Sequence, residues 1–185
     1  FETAGTAEED LPYLVPMGTN ILFEINIEAA GLSFKVGCEI GEDLMAVQPP
    51  DIEQAANGAL IIVNPSASNE IIGRKEYRRR LVSITSAKLI SAYLHAGSGT
   101  GESTTDSVFG GHGMIAENGV ILAEKELFTN GAVFSEIDVK RLLHERRRKG
   151  TFLKKKAPSV YWGAEAAGLQ SGAYLIIPVF MDCTY

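Results

Sequence analysis

The stretch ALIIVNPSASNE, residues 59–70, joins an uninterrupted apolar run to a polar loop. An apolar run of this length, rich in isoleucine and valine, predicts a strand buried on both faces at the centre of a sheet. The polar residues follow the carboxyl end of that strand, where α/β proteins place their ligand sites. Residues 59–70 therefore predict an α/β sheet with a binding site at one edge.

Apolar and polar residues alternate on the amino-terminal side of this stretch. The alternation predicts a half-buried strand from Ile21 to Ile27 and, after a turn at Gly31, a second strand from Leu32 to about Ile40. The apolar face of the second strand would carry Phe34, Val36, Cys38 and Ile40, so Cys38 is expected to be a buried core cysteine. Two prolines then predict the start of a short helix over residues 51–57.

Helical and strand patterns also alternate on the carboxyl-terminal side. Residues 75–91 predict a helix with Tyr77, Leu81 and Ile84 on one face, and Asn118-Gly119 predicts a type I′ hairpin. Further predicted elements are strands at 92–96, 108–117, 120–124, 132–137 and 175–180, and a helix at 139–148 capped by Asp138. These elements predict a layered α/β sandwich with a mixed sheet.

Composition restricts the function classes. The chain has 185 residues and a net charge of −6, which suits one globular domain and disfavours nucleic acid as a partner. Its basic segment, residues 141–156, predicts a solvated helix end or an interface with an acidic neighbour. No apolar run reaches the ~18–20 residues of a membrane helix. The residues near Phe1 are acidic, whereas a signal peptide begins with basic residues, so we expect a cytoplasmic protein.

No metal site is predicted. Cys38 and Cys183 lack the spacing of a zinc site, and the three histidines are scattered along the chain. The glycine-rich loop at residues 97–101 lacks the Gly-Lys-Ser/Thr that completes a phosphate-binding loop.

Polar segments follow several predicted strands in a distinctive order. They read VGCEIGEDLM at residues 36–45, NPSASNEIIGR at 64–74, and GESTTD, FGGH and AENG at 101–106, 109–112 and 116–119. Together, over residues 15–148, they resemble the glutaminase domain of glutamine-dependent NAD synthetases. That domain is a carbon–nitrogen hydrolase of the nitrilase superfamily. The resemblance implies a nitrilase-like α-β-β-α sandwich, which we expect to be incomplete at its amino terminus. We expect residues 1–150 to form this partial domain and residues 151–185 to be an extension packed on it.

The resemblance implies hydrolysis of the side-chain amide of glutamine by a cysteine thiolate, assisted by a glutamate base and an oxyanion-stabilising lysine. This sequence has Gly41 at the position of the family's cysteine. The family's glutamate and lysine would lie upstream of Phe1. The chain as given is therefore predicted to be catalytically inactive, since glycine has no nucleophilic side chain.

The resemblance also implies a glutamine-binding role for Glu42, Ser68 and Arg74. Ser68 and Arg74 match positions that hold the α-amino and α-carboxylate groups, and an arginine suits a carboxylate because its planar fork donates two hydrogen bonds. Glu42 matches a residue that lines the pocket. The alternatives are an acid at a helix start for Glu42, a loop cap for Ser68 and a surface charge for Arg74.

Two other functions stay open at this point. The domain could be a non-catalytic glutamine-binding or oligomerisation module, or another carbon–nitrogen hydrolase such as an aliphatic amidase, which residues 66–70 and 101–106 disfavour. We expect no cofactor for this domain; ATP and Mg would belong to a synthetase domain. The expected partners are glutamine or a similar small amide, that synthetase domain and further copies of the chain, with neither nucleic acid nor membrane.

Overall fold

The computed structural model describes Gly18, residues 21–152, 160–165 and 175–176. The strands are β1 (Ile21–Ile27), β2 (Leu32–Cys38), β3 (Ala59–Ser66), β4 (Ala92–Gly97), β5 (Gly113–Glu117), β6 (Val120–Glu124), β7 (Glu136–Ile137), β8 (Val160–Glu165) and β9 (Leu175–Ile176). The helices are α1 (Pro50–Ala56), α2 (Arg74–Leu89) and α3 (Val139–Arg148).

A seven-stranded mixed sheet, ordered β6-β5-β4-β3-β2-β1-β8, forms the body of the described structure. Strands β2, β3 and β4 run parallel, while β5 and β6 form an antiparallel hairpin beside β4. Strand β3 lies at the centre of the sheet, as the apolar run at residues 59–63 predicts. The parallel strands end at one edge, which brings their following loops together.

The two faces of the sheet bury different side chains, because successive residues of a strand point to opposite sides. On the face covered by α1 and α2, Ile62 of β3 packs with Leu22, Val82 and Tyr93. On the other face, Ile61 packs with Leu94, Ile115 and residues of α3 such as Leu142. Helices on a mixed sheet confirm the predicted α/β class. A short antiparallel pair, β7 and β9, lies outside the main sheet.

The hairpin between β5 and β6 turns where the sequence predicts. Asn118 and Gly119 both have positive φ angles, 45° and 94°, as a type I′ turn requires. Strand β5 begins at Gly113 rather than at Val108. Residues 108–111 are instead tied to neighbouring loops: Glu70 N donates to Val108 O at 2.7 Å, and Gly111 N donates to Ser98 O at 2.9 Å.

The prediction that β2 continues to Ile40 is wrong. The strand ends at Cys38, and Gly41 takes a left-handed φ of 59° to begin a 3₁₀ turn, Gly41–Met45. Ile40 is consequently 68% exposed rather than part of the core. Cys38 is half-buried rather than fully buried, and its thiol lies 3.8 Å from Glu39 O. Cys183 lies outside the described residues.

The predicted apolar face of α2 is wrong for two of its three residues, while the third, Leu81, does pack against the core. Tyr77 and Ile84 are 52% and 64% exposed, and the buried side chains are those of Arg78, Val82, Ser86 and Leu89. The helix buries polar residues because they find partners on the sheet side: Ser86 Oγ, for instance, accepts from Gly119 N at 2.8 Å.

The carboxyl-terminal predictions have mixed outcomes. Asp138 caps α3 as predicted, its Oδ1 accepting from Arg141 N at 2.9 Å. The strand predicted at 132–137 is reduced to β7, and of the strand predicted at 175–180 only β9 is described. Within the described ranges, no helix is long and apolar enough to cross a membrane.

Candidate functional site

Four of the five polar segments quoted from the sequence, residues 36–45, 64–74, 101–106 and 109–112, lie at or beyond the carboxyl ends of β2, β3 and β4. The fifth, residues 116–119, lies at the opposite edge, where Glu117 pairs with Ala92 at the start of β4. Glu39 N donates to Val63 O at 3.0 Å, which ties the end of β2 to β3. Ser98 N donates to Ser66 O at 2.8 Å, which ties the loop after β4 to the end of β3. Segments that are far apart in sequence are therefore joined by main-chain hydrogen bonds at one edge of the sheet.

Gly41, where the sequence resemblance predicts the family's nucleophile, lies in a tight left-handed turn. Ile40 N donates to Asp43 Oδ2 at 2.9 Å, and Asp43 N donates to Ile40 O at 3.2 Å. A Cβ placed on Gly41 would have no heavy atom within 4 Å other than those of its chain neighbours. The turn thus has open space for a side chain, although a φ of 59° strains any residue other than glycine.

A buried polar network lies beneath this turn. Asn64 Nδ2 donates to Gly41 O at 3.2 Å and to Glu39 Oε1 at 3.4 Å, and Tyr93 OH donates to the same Glu39 oxygen. Burial raises the pKa of Glu39 and that of Tyr93. Asp51, fully buried nearby on α1, has its pKa raised to about 7 by burial and by the charge of Glu39.

Arg74 brings the second sequence segment onto the Gly41 turn. Its Nη1 lies 3.7 Å from Met45 Sδ at the end of that turn. Arg74 Nε and Ser68 Oγ are both buried and have no hydrogen-bond partner among the described residues. Glu42 lies in the same turn with its side chain exposed. The structure therefore brings Arg74 next to the turn that contains Glu42, and no described contact joins Glu42 to Ser68 or Arg74.

A second buried network lies behind the loops. Arg78 Nη2 lies 2.5 Å from Glu70 Oε2, and Arg78 Nε donates to His112 Nδ1 at 2.9 Å. His112 Nε2 lies 3.0 Å from Glu124 Oε1. Burial lowers the pKa of His112, although Glu124 opposes the shift. Burial raises the pKa of Glu124, but hydrogen bonds from Arg79 and His112 outweigh it and hold that pKa below its ordinary value.

Sequence reasoning missed most members of these networks. Glu39 and His112 lie in segments quoted for the resemblance, but no role was predicted for either. The sequence also predicts no role for Asp51 at the start of a helix, Tyr93 in an apolar strand or Arg78 in a helix. The signal that could have identified these residues is a polar or charged side chain at a position that faces the core. Only the tertiary structure shows which positions face the core. Within the described part of the chain, no group of three or more His, Cys, Asp and Glu side chains could hold a metal ion.

The chain is 43% identical over 140 residues to the glutamine-dependent NAD(+) synthetase of Mycobacterium tuberculosis strain H37Rv. It is equally identical, over 139 residues, to the enzyme of that name from Mycobacterium leprae strain TN. This chain is a homologue of a segment of the glutamine-dependent NAD(+) synthetases. The matches cover 75% and 74% of this chain but 20% of each synthetase. The chain therefore spans about a fifth of the length of these relatives. No protein-family model matches it.

Solved structures confirm the fold. The carbon–nitrogen hydrolase of Helicobacter pylori G27 superposes with a TM-score of 0.51 and 18% identity, over 62% of this chain and 43% of that one. The glutamine-dependent NAD+ synthetase of Acinetobacter baumannii in complex with ADP superposes with a TM-score of 0.50 and 16% identity, over 71% of this chain and 24% of that one. The resemblance to the synthetases and the nitrilase-like α/β fold are both confirmed.

Proposed function

We propose that this chain is part of a glutaminase-type carbon–nitrogen hydrolase domain and binds glutamine, or a similar small amide, beside the Gly41 turn. The proposal is carried by two buried groups, Arg74 Nε and Ser68 Oγ, that have no hydrogen-bond partner in the part of the chain that the structure describes. A buried polar group without a partner costs ~1–3 kcal/mol. A ligand with a carboxylate and an ammonium group would supply the missing acceptor and donor.

Each proposed contact follows from the chemistry of the side chain. Arg74 would hold the α-carboxylate, since its guanidinium is already directed to the Gly41 turn by its contact with Met45. Ser68 would accept a hydrogen bond from the α-amino group. Glu42, an exposed acid in the same turn, would add a negative charge near that ammonium group.

We further propose that the chain holds its amide without cleaving it. Gly41 has no side chain to attack the amide. Cys38 is a poor substitute, because burial raises the pKa of its thiol and Glu39 and Asp43 raise it further. A raised thiol pKa lowers the fraction of reactive thiolate. Ammonia release from glutamine by this chain, or an acyl adduct on Cys38 in an intact-mass spectrum, would contradict this part of the proposal.

Isothermal titration calorimetry with glutamine tests the binding proposal. We expect saturable binding that weakens by about tenfold or more in Arg74→Ala, since a charged hydrogen bond contributes ~1.5–3 kcal/mol. Arg80→Ala is the matched control, because Arg80 lies on the same helix and is paired only with Glu76 on the surface in the described structure. The proposed pocket would be refuted if the parent chain did not bind glutamine, or if both variants lost the same amount of affinity for it.

The homology extends the proposal to a longer protein. There, the domain would accompany a synthetase domain that uses ATP and Mg, and its ancestral role would be to supply ammonia from glutamine. We propose that residues 1–150 form the domain and that the segment 151–185 packs on it. The pairing of β8 with β1 and of β9 with β7 supports the packing of that segment on the domain.

An oligomerisation module is the second candidate. Strand β6 lies at the edge of the main sheet and exposes Val120 and Leu122, which is an exposed apolar edge of the kind that pairs with another chain. Size-exclusion chromatography with light scattering tests it. A dimer that dissociates in Leu122→Lys would support the module, and a stable monomer would exclude it.

A further inference from the structure

Arg78 connects the two loops that build the candidate pocket. Its guanidinium contacts Glu70, in the loop after β3, and His112, at the end of the loop after β4. The side chain of Arg78 is 3% exposed and that of His112 is 1% exposed, so water does not compete for these contacts. Main-chain hydrogen bonds from Glu70, Ser98 and Gly111 join the same loops to each other and to the end of β3.

The hydrogen bonds of His112 fix its protonation state. Arg78 Nε always carries a hydrogen, so His112 Nδ1 must accept it and must itself be unprotonated. His112 Nε2 then carries the ring hydrogen and donates to Glu124 Oε1 at 3.0 Å. A second proton on the ring would go to Nδ1. It would remove the acceptor of Arg78 and place two cations against each other in a buried site.

We propose that Arg78 and His112 are positioning residues that hold the two pocket loops together only while His112 is neutral, so that acid loosens the pocket. The effect on ligand binding rests on the proposed function, whereas the coupling of the loops does not. Neither residue needs to touch the ligand. They act by fixing the loop that carries Ser68 and the start of α2, where Arg74 lies.

The charged groups around His112 come from several elements. Arg78 and Lys75 on α2 disfavour a positive ring, and Glu124 on β6 favours it. His95 on β4 interacts electrostatically with both Arg78 and His112, and its own pKa is lowered to about 3. His95 therefore stays neutral in mild acid and does not contribute to the proposed switch. Glu70 and Arg79 complete the network through Arg78 and Glu124.

Amide hydrogen exchange tests the coupling without any ligand. The probes are the amides of Glu70, Ser98 and Gly111, with rates corrected for the intrinsic effect of pH. We expect their protection to fall by about tenfold or more as pH drops from about 8 to about 5, because protonation of His112 removes the charge-assisted hydrogen bond from Arg78. The amide of Gly31, which donates to Glu28 O in the turn between β1 and β2, is the internal control.

Two variants isolate His112. In His112→Asn, an amide oxygen can accept from Arg78 but cannot be protonated, so we expect protection that no longer depends on pH. Arg80→Gln, on the exposed side of the same helix, should behave like the parent chain. Nitrogen NMR of the ring at neutral pH should show an unprotonated Nδ1. Three results would each overturn the proposal: a ring protonated at Nδ1, amide protection in the parent chain that does not change with pH, or an unchanged pH response in His112→Asn.

Glutamine calorimetry on the same samples separates the two proposals. Loop protection that follows pH in a chain that binds no glutamine would refute the proposed function and support the coupling. If the chain binds glutamine and the protection of the loop amides does not change with pH, the coupling is refuted and the proposed function is supported.

Discussion

At the scale of the residue, the proposed lack of catalysis depends on Gly41. Its φ of 59° belongs to the left-handed region, and the space around its Cβ position is open. A side chain there is therefore limited by backbone strain and not by packing. The main chain of this turn is supported by Asn64, which also contacts Glu39.

We predict that Gly41→Cys folds and gains a reactive thiol. The strain of a left-handed cysteine should lower the free energy of unfolding by ~1 kcal/mol. Thermal unfolding and intact mass after iodoacetamide treatment measure both effects. Gly31→Cys is the matched control, since Gly31 has a similar φ of 56° and equally open surroundings. Loss of folding in Gly41→Cys alone would show that the turn tolerates no side chain.

At the scale of the element, α3 is fixed at both ends by single side chains. Asp138 caps its start, while Arg146, near its end, donates to Leu89 O, Ile90 O and Ala55 O. Those carbonyls lie at the carboxyl ends of α2 and α1. Burial lowers the pKa of Arg146 to about 10, so the guanidinium remains charged at neutral pH. The basic segment of the sequence thus contains one structural arginine among exposed ones.

Asp138→Ala should lower the free energy of unfolding by ~1 kcal/mol, the usual effect of losing an N-cap. Asp138→Ser should recover most of this loss, because a serine hydroxyl can accept from Arg141 N in the same way. Urea denaturation measures both variants. Equal stabilities for the alanine and serine variants would mean that the cap contributes nothing.

Arg146→Met should lower the free energy of unfolding by ~2 kcal/mol or more, because the carbonyls of Leu89 and Ile90 lose their hydrogen bonds from Arg146. The methionine retains much of the apolar contact with the ring of Phe152, which lies 4.7 Å from the guanidinium carbon. Arg147→Met is the control, since Arg147 is exposed on the same helix. Chemical denaturation that gives the same midpoint for both variants would contradict a structural role for Arg146.

At the scale of the whole molecule, buried groups with opposite responses to acid set the pH dependence of stability. His95 has its pKa lowered to about 3, so its contribution is complete above its ordinary value and is lost as pH falls towards 3. Asp51 has its pKa raised from 3.8 to about 7, so its contribution is complete below 3.8 and is lost as pH rises towards 7. These two effects oppose each other in mild acid, and the cost of ionising Asp51 remains at neutral pH.

Asp51→Asn should therefore stabilise the protein increasingly as pH rises from about 4 to about 8, by roughly a few degrees in unfolding temperature at the upper end. Thermal unfolding across this range measures the difference from the parent chain. Glu53→Gln is the control, because Glu53 is exposed on the same helix and should show no such trend. A constant difference between Asp51→Asn and the parent would contradict an ionisation cost at Asp51.

The sequence by itself determined the elements whose signals are local. The apolar run of β3, the Asn118-Gly119 turn and the Asp138 cap depend on neighbouring residues, and the order of the polar segments predicted the similarity to the NAD synthetases. The buried face of α2, the end of β2 and the polar networks depended on the tertiary structure. Tyr93 and Glu39, for example, are 54 positions apart in the chain. Apolar spacing shows which side of an element avoids water. Only the packed fold shows which buried polar side chain, such as Arg78, finds a partner that compensates its burial.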